Sequence, residues 1–314
     1  MADVKKIATR EGYGAALVEL GKLHDNVIVF DADLAGATKT SVFKKAFPDR
    51  HFDCGIAEGN MMAVAAGAAS AGLVPFAASF AMFAAGRAYE QVRNSIGYPH
   101  LNVKIGATHG GISVGEDGAS HQCCEDFALM RSIPGMVVMS PADEVEARAM
   151  VFAAYEHDGP VYMRFGRSAV PVVHEDRDYH FEIGKGEVLR DGTDVAIIAN
   201  GLLVYEAVVA AEALAQEGIS AMVINMATIK PLDEALVLSA AEKCCKIITC
   251  EEHSVIGGLG EAVCACLSEK LPTPVRRIGV NDVFGFSGPA NDLLKEFGLS
   301  AENIVKTAHE FCGK

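Results

Sequence analysis

The chain has 314 residues, half of them hydrophobic, and its 41 acidic residues against 27 basic ones give a formal net charge of −14. This length and composition predict about two globular domains and exclude a largely disordered or fibrous chain. The acidic balance, without a basic cluster, argues against nucleic acid or an anionic membrane surface as a partner. No apolar run follows the first lysines, so we expect no secretory signal and a cytoplasmic location.

Short β-branched runs alternate with helical patterns along the whole chain. The predicted strands are residues 27–30, 103–107, 136–139, 161–163, 195–199, 222–225, 247–250 and 277–280. The predicted helices are residues 13–22, 60–71, 85–96, 142–156, 203–216, 233–242, 259–269 and 301–311. Strands that alternate with helices predict an α/β fold, with mainly parallel sheets covered by helices on both faces.

Two features of the composition resemble signals of other protein classes. Residues 60–86 carry no charge and are numerous enough to span a bilayer, but Ala, Gly and Ser dominate them and Pro75 divides them. We therefore predict a buried helix, a turn and a second buried element there, and no membrane span. The nine cysteines show neither a disulfide framework nor metal-ligand spacing, so we expect free thiols and no metal site.

Charged and proline-containing stretches interrupt the periodic pattern in the middle of the chain. We predict a first domain over residues 1–172, a linker over 173–193 and a second domain over 194–314. In the first domain, the helix predicted at residue 142 has clear start signals. Ser140 can cap it, and Pro141 fits its first turn.

Polar residues follow several predicted strands of the first domain. Asp33 follows the first strand, His109 the second and Arg164 the fourth. Ligands of open α/β sheets bind beyond the carboxyl ends of the strands, so one site built from these three side chains is geometrically reasonable. Arg10 and Arg164 are candidates for binding phosphate, although each alone could equally form an ordinary ion pair.

Residues 109–122, which we call the histidine loop, carry the densest set of candidate catalytic groups. The loop contains four glycines together with His109, Asp117 and His121. Glycines let a backbone approach a ligand closely, and two histidines with a carboxylate can move protons near neutral pH. From composition alone, a solvated loop whose histidines make turn hydrogen bonds is an equally good interpretation.

Three further candidates flank or lie in the uncharged region. Glu58 precedes it, and is either the first residue of a helix, favoured by the helix dipole, or a buried acid that shares a proton. The pattern alone favours the first interpretation. Phe80 and Phe83 lie about one helical turn apart, and the pattern alone favours core packing for both.

Taken in order, these residues resemble the transketolase family. Gly115-Glu-Asp-Gly-Ala-Ser-His-Gln resembles the family's G-E-D-G-P-T-H-Q stretch. The other matching segments are Arg10, Asp33, Gly55-Ile-Ala-Glu58, Phe80-x-x-Phe83, Thr108-His109 and, in the second domain, Glu251-Glu-His-Ser-Val-Ile-Gly-Gly-Leu-Gly. The resemblance covers nearly the whole chain but not the family's amino-terminal domain, because no G-D-G motif for Mg²⁺ and the cofactor diphosphate occurs here.

The resemblance implies the carboxyl-terminal subunit of a split transketolase, with a pyrimidine-binding domain followed by the carboxyl-terminal domain. Such an enzyme uses thiamin diphosphate to move a two-carbon ketol unit between a ketose phosphate and an aldose phosphate, as in the pentose phosphate pathway. An amino-terminal partner subunit would hold most of the contacts to Mg²⁺ (or Ca²⁺). Two copies of each chain would form an α2β2 assembly, and this chain alone would be inactive.

The resemblance also implies roles for individual residues. Glu58 would hydrogen-bond the aminopyrimidine ring of the cofactor and share its proton, while Phe80 and Phe83 would stack on that ring. The residues expected to contact the sugar phosphate are Arg10, Asp33, His109, Asp117, His121 and Arg164. Of these, His109, Asp117 and His121 would also take part in catalysis with Glu58.

Three departures from the family pattern bear on the substrate. Gly86, Ala37 and Gly110 stand where the family often has Tyr, Ser and Asp. Two alternatives also stay open. One is a related thiamin enzyme, either a subunit like 1-deoxyxylulose-phosphate synthase or the β subunit of a 2-oxo acid dehydrogenase, against which the histidine loop and the arginines argue. The other is a non-catalytic partner or scaffold, against which the intact Glu58 argues.

Overall fold

The computed structural model describes residues 5–174 and 179–313. In the first half the strands are β1 (Lys6–Ala8), β2 (Val27–Asp31), β3 (His51–Asp53), β4 (Val74–Phe80), β5 (Lys104–Thr108), β6 (Val137–Met139), β7 (Val161–Arg164) and β8 (Ala169–Pro171). The helices are α1 (Thr9–Leu23), α2 (Ala35–Thr38), α3 (Ser41–Ala46), α4 (Glu58–Ser70), α5 (Tyr89–Gln91), α6 (Asp126–Arg131) and α7 (Glu144–Glu156). Short 3₁₀ turns cover Pro48–Arg50 and Ile112–Asp117, and π-helical turns cover Met82–Arg87 and Val92–Gly97.

In the second half the strands are β9 (Glu187–Arg190), β10 (Val195–Ala199), β11 (Ala221–Asn225), β12 (Thr228–Lys230), β13 (Ile247–Ser254) and β14 (Val275–Val280). The helices are α8 (Leu203–Gln216), α9 (Glu234–Cys244), α10 (Leu259–Lys270), α11 (Ala290–Glu296) and α12 (Ala301–Cys312). Every predicted strand is present with its ends shifted by a few residues at most, except that β13 continues four residues further. The helix predicted over residues 85–96 is instead the short α5 between the two π-helical turns.

The larger sheet has the order β12-β6-β7-β5-β4-β2-β3. Its six strands from the first half run parallel, and β12 from the second half is added antiparallel to β6. Buried apolar side chains cover both faces, with Phe127 and Ile105 in one cluster and Phe76 and Leu17 in the other. This is the covered parallel sheet that the alternating pattern predicts.

The smaller sheet has the order β14-β13-β10-β11-β9, in which only β9 is antiparallel to its neighbour. The predicted α/β class, with two mainly parallel sheets covered by helices, is confirmed. β9 lies inside the range predicted as a linker, and residues 175–178 of that range lie outside the described part of the chain. The predicted domain limits stay a prediction.

The uncharged region forms a helix, a turn and a buried strand, as predicted, except that α4 is buried on one face only, with Val64 43% exposed. α4 is followed by β4, whose seven residues are all buried. β4 lies between β2 and β5. Pro75 pairs with Ile28 of β2, but the pairing with β5 begins only at Phe76, so a missing N–H is tolerated on the β5 side. Within residues 5–174 and 179–313, no helix is long and apolar enough to cross a bilayer.

The predicted start of the helix near residue 142 is wrong in its capping residue. α7 begins at Glu144, and the carboxylate of Asp143 accepts the Glu146 N–H across 2.9 Å. Glu146 in return accepts the Ala142 N–H at 2.7 Å, so two carboxylates cap the helix start. The Ser140 N–H instead donates to a backbone carbonyl just before β12.

Candidate active site

The aromatic residues of the predicted site meet at the carboxyl ends of β4 and β5. Phe80 is the last residue of β4, and His109 directly follows β5. Their rings stack with centroids 3.9 Å apart, and the Phe83 ring lies 6.0 Å from the Phe80 ring. The neighbouring parallel strands, paired from Phe76 to Phe80 and from Lys104 to Thr108, bring these side chains into one cluster.

His121 closes the same cluster from the far end of the histidine loop. Its ring stands edge-on to Phe83 at 5.3 Å and to Phe80 at 6.3 Å. Its Nδ1 lies 3.0 Å from the Ser120 hydroxyl. The structure therefore places both predicted histidines against the two predicted phenylalanines, an arrangement that requires the loop to fold back over β4 and β5.

The environment of His109 favours its neutral form. The residue has a φ of +57°, a left-handed conformation that costs energy outside glycine. Burial, together with the positive charges of Arg10 and Arg167 and of the His121 ring, lowers the pKa of His109 to about 3. An imidazole held neutral in a strained backbone conformation is typical of a site residue.

Glu58 is both the first residue of a helix and a buried acid, so the two interpretations of it hold together. It begins α4, and only 2% of its surface is exposed. Arg87 pairs with it, with Nη1 3.2 and 3.4 Å from the carboxylate oxygens. Upstream, Asp53 accepts the Gly55 N–H at 2.9 Å and the Asp33 N–H at 3.0 Å, which fixes the segment that leads into α4.

Arg87 also contacts the ring of Phe83, and sequence reasoning missed it. Its guanidinium carbon lies 4.7 Å from the ring centroid, although the Arg87 side chain is 54% exposed. Both residues lie in the π-helical turn Met82–Arg87, which is wider than an α-helical turn and common at functional sites. The sequence indicates Arg87 only by its position, because it is the first charged residue after the uncharged region.

This geometry fits the pyrimidine half of thiamin diphosphate. A planar, nitrogen-rich group, the Arg87 guanidinium, already stacks on Phe83 and hydrogen-bonds Glu58. An aminopyrimidine ring would make the same two contacts, one through its face and one through a ring nitrogen. The residues that would hold that ring are thus Glu58 and Phe83, with the Phe80 ring 6.0 Å from that of Phe83. Among the described residues, no cluster of His, Cys, Asp or Glu could hold a metal ion.

Arg10 and Arg167 form a positively charged edge beside His109. Arg10 donates from Nη1 to the Ala37 carbonyl at 2.8 Å and lies 3.3 Å from His109 Nε2. Thr9 accepts the Gly166 N–H at 2.9 Å, which ties the residues next to each arginine together. The Nε of Arg10 is buried, and nothing in the described part of the chain accepts a hydrogen bond from it. The Arg10 and Arg167 guanidinium groups could together bind an anion here if Arg167 exchanged its contact with Glu116 for it.

Arg167, three residues after Arg164, is the second residue that sequence reasoning missed. Its guanidinium donates to the Val114 carbonyl of the histidine loop and to Glu116 at 2.8 Å. Asp117 ends the 3₁₀ turn of the same loop and is exposed. Asp33 is exposed and has a φ of +61°, with its N–H tied to Asp53. The structure therefore leaves both Asp33 and Asp117 exposed to solvent.

Arg164 lies at the carboxyl end of β7 as predicted, and its buried guanidinium contacts groups outside the aromatic cluster. It is 4% exposed, and its Nε lies 3.1 Å from the buried Asp126. Its Nη2 donates to the carbonyls of Cys123 and, in the second domain, Glu252. These partners hold the guanidinium between the two domains, so the proposal below uses Arg167 for the phosphate contact that was expected of Arg164.

The close approach of Arg164 explains why residue 110 is a glycine. A Cβ atom there would collide with the Nε of Arg164. The buried Arg164 cannot move aside without breaking its contacts to Asp126 and two carbonyls. An Asp at position 110, common in the family, is thus incompatible with this position of Arg164. At Gly86, by contrast, a Cβ would meet only the flexible end of Met82.

Comparison with known proteins places both halves of the chain in one family. The model "Transketolase, pyrimidine binding domain" matches residues 5–173, and "Transketolase, C-terminal domain" matches residues 184–304. A putative transketolase C-terminal section from Methanocaldococcus jannaschii is 51% identical over 303 residues, which are 96% of this chain and 95% of that protein. A 6-deoxy-6-sulfo-D-fructose transketolase subunit from a Clostridium species is 44% identical over 301 residues, 96% of this chain and 93% of that protein.

A solved structure agrees with the sequence relatives. A split-gene transketolase, described as an inactive beta4 tetramer, matches with a TM-score of 0.92 and 52% identity, covering 98% of this chain and 99% of that one. The resemblance inferred from the order of the motifs is thus confirmed at the level of family and domains. The chain belongs to the transketolase family, of which it carries the pyrimidine-binding and carboxyl-terminal domains.

Proposed function

We propose that this chain is the carboxyl-terminal subunit of a two-polypeptide transketolase that moves a two-carbon ketol unit from a ketose to an aldose. The observation that carries the proposal is the convergence of the buried Glu58 and the rings of Phe80, Phe83, His109 and His121 at one sheet edge. When bound, thiamin diphosphate supplies a thiazolium carbon whose deprotonated form is the nucleophile and electron sink of such a transfer.

Glu58 would share a proton with the aminopyrimidine ring. Its carboxylate is buried against Arg87, and Arg87 is half exposed, so the guanidinium can turn to solvent and leave both the carboxylate and the Phe83 face to the ring. A buried carboxyl group at that position favours the ring tautomer that can accept a proton. Phe83 and Phe80 would orient the ring, and the cluster around them would exclude water.

The histidines and arginines would bind the sugar. His109 is neutral and lies beside Arg10, so its imidazole can hydrogen-bond a substrate oxygen without carrying charge. His121 and Asp117 would contact further hydroxyl groups from the other end of the loop. Arg10 and Arg167 would bind the anionic end of the sugar through charge-assisted hydrogen bonds.

The anion need not be a phosphate ester. Two guanidinium groups recognise three outward oxygens of any tetrahedral anion, and the Clostridium relative is named for a sulfonated sugar. The absence of a serine near Arg10, where Ala37 stands, removes one hydroxyl that could otherwise help to hold a phosphate. We infer a sugar phosphate as the substrate.

The chain would need a second polypeptide to hold the cofactor's diphosphate and metal ion. The sequence has no G-D-G motif for them, and Glu58 and Phe83 account only for the pyrimidine end. The related split-gene transketolase is described as an inactive beta4 tetramer. We infer two copies of this chain with two of its partner, with each active site between the two kinds of subunit.

The test is to purify the tagged chain from its host, identify the co-purifying protein by mass spectrometry and assay the complex. We expect a companion in equal amount that carries G-D-G, and a complex that transfers two-carbon units between sugar phosphates when thiamin diphosphate and Mg²⁺ are added. The separated chain should then show no activity. A complex that lacks this activity, or a chain that is equally active alone, contradicts the proposal.

A further inference from the structure

The second domain contacts the histidine loop near both of the loop's ends. Near its start, the Ser113 N–H donates to Oε1 of Glu252 in β13, across 2.6 Å. At its end, the side-chain amide of Gln122 donates to the carbonyl of Phe286 at 3.0 Å. The loop that carries both candidate catalytic histidines is therefore attached to the neighbouring domain as well as to its own sheet.

Glu252 is built into this contact tightly. Its side chain is buried, and a Cβ at Gly111, whose φ is +79°, would collide with its carboxylate. Burial raises the pKa of Glu252, while the nearby charge of Arg164 and the Ser113 N–H oppose that rise. Burying a carboxylate is costly, and simple packing of two domains would be served better by an apolar side chain. The Ser113 N–H and the charge of Arg164 therefore offset part of this cost and hold the carboxylate in the contact.

Gln122 connects three parts of the contact with one amide group. Besides Phe286, its Nε2 lies 3.2 Å from the Ile112 carbonyl and 3.5 Å from that of Gly115. The middle of the loop rests on the same segment of the second domain, because a Cβ at Gly118 would collide with the Ser287 hydroxyl. The 3₁₀ turn Ile112–Asp117 is thus held between Glu252 and the segment before α11.

We propose that the second domain positions the histidine loop for the reaction, and that Glu252 and Gln122 are the positioning residues through which it acts. This inference rests on the proposed function, since it gives the second domain a purpose in that reaction. The ring contact of His109 with Phe80 and that of His121 with Phe83 both depend on where the loop backbone lies. Loosening either attachment would let the two imidazoles move relative to the phenylalanines.

The variant Glu252→Gln keeps the volume and removes the charge, and Glu261→Gln makes the same change in an exposed pair with Arg277. Hydrogen exchange of the full chain, followed by mass spectrometry, measures how strongly the backbone amides of the histidine loop are protected. We expect exchange in peptides that cover residues 110–122 to become about tenfold faster in Glu252→Gln. Peptides from β10 should be unchanged, and Glu261→Gln should match the wild type throughout.

A second readout separates positioning from general stability. Burial is the main cause of the low pKa of His109, so a looser loop should raise it from about 3 toward its ordinary value. An NMR titration of the imidazole should show this rise in Glu252→Gln and an unchanged pKa in Glu261→Gln. Should Glu252→Gln fail to fold, Gln122→Met, which removes the donor at similar volume, carries the same two measurements. Wild-type loop exchange in the folded variants, or a rise spread evenly over the molecule, overturns the proposal.

These measurements need neither cofactor nor partner, so they remain valid if the proposed reaction proves wrong. In the co-purified complex, the positioning proposal further expects Glu252→Gln to lower kcat at least tenfold with a smaller change in KM. Loss of loop protection together with an unchanged kcat would overturn the catalytic purpose of the contact.

Discussion

Arg10 donates a hydrogen bond from Nη1 to Nε2 of His109, across 3.3 Å. Because a guanidinium can only donate, Nε2 must be the acceptor, and His109 carries its proton on Nδ1, 2.9 Å from the Thr108 hydroxyl. This fixes one tautomer and one ring orientation before any substrate arrives. A substrate oxyanion that draws Arg10 away would leave Nε2 free to accept a proton or a hydroxyl hydrogen bond.

Acid should destabilise the protein through His109. The unfolded chain binds a proton there below about pH 6.5, whereas the folded chain does so only near its pKa of about 3. The free energy of unfolding therefore falls as the pH drops through this window, by up to about 1.4 kcal/mol per pH unit. Measured by urea unfolding at pH 7 and pH 5.5, the free energy of unfolding should fall by about 1 kcal/mol less in His109→Asn than in the wild type. An identical loss in both proteins contradicts the assigned pKa.

Arg167→Gln should weaken binding of the anionic substrate. The loss of one charge-assisted hydrogen bond predicts a KM for the sugar phosphate at least about tenfold higher, with kcat changed much less. Steady-state kinetics of the complex provide the measurement. Arg276→Gln, which removes an exposed arginine of the second domain, is the matched control and should leave KM unaltered. Equal KM values for both variants would remove Arg167 from the anion site.

Arg164 should matter for stability and not for substrate binding. Arg164→Met would leave the carboxylate of Asp126 buried without its cation, which costs about 3–5 kcal/mol of unfolding free energy. Adding Asp126→Asn should restore part of that loss, because the buried charge is then gone. Urea unfolding of the single and double variants measures both effects. A stable single variant with a raised KM would instead support a substrate contact by Arg164.

Gly110→Ala should destabilise the fold, although alanine is a small residue. The new Cβ would collide with Arg164, and such overpacking costs about 1–3 kcal/mol. Gly36→Ala is the control, because nothing lies within 4 Å of its added Cβ. Thermal unfolding should show a clear loss for the first variant and no more than about 0.5 kcal/mol for the second. Equal stabilities would mean that Arg164 can move aside.

The strands were predictable where side chains are both apolar and β-branched. β10 was predicted with both ends correct, since its five residues are buried and polar Asp194 and Asn200 flank it. β4 was predicted only as an undefined buried element, because its alanines and Pro75 carry little strand preference and its place between β2 and β5 decides its conformation. The three-residue β12 depends on pairing with a strand more than 80 residues earlier, which no local pattern reveals.

For the site, the order of the motifs indicated which residues to expect but not where their side chains point. Both Arg164 and Arg167 follow the residues predicted as the fourth strand. Arg164 is the last residue of β7 and its side chain enters the domain interface, whereas Arg167 lies beyond the strand and reaches the histidine loop. That difference depends on the packing of the second domain, so it could not be read from spacing alone.

The most direct test of the central claim is the activity of Glu58→Gln in the purified complex. If Glu58 shares a proton with the cofactor ring, kcat should fall by at least about two orders of magnitude while the complex still assembles. Glu212→Gln, the same change at an exposed position of α8, should retain wild-type activity. A Glu58→Gln complex as active as the Glu212→Gln complex would contradict the assignment of this chain as the proton-sharing half of a thiamin-dependent transketolase.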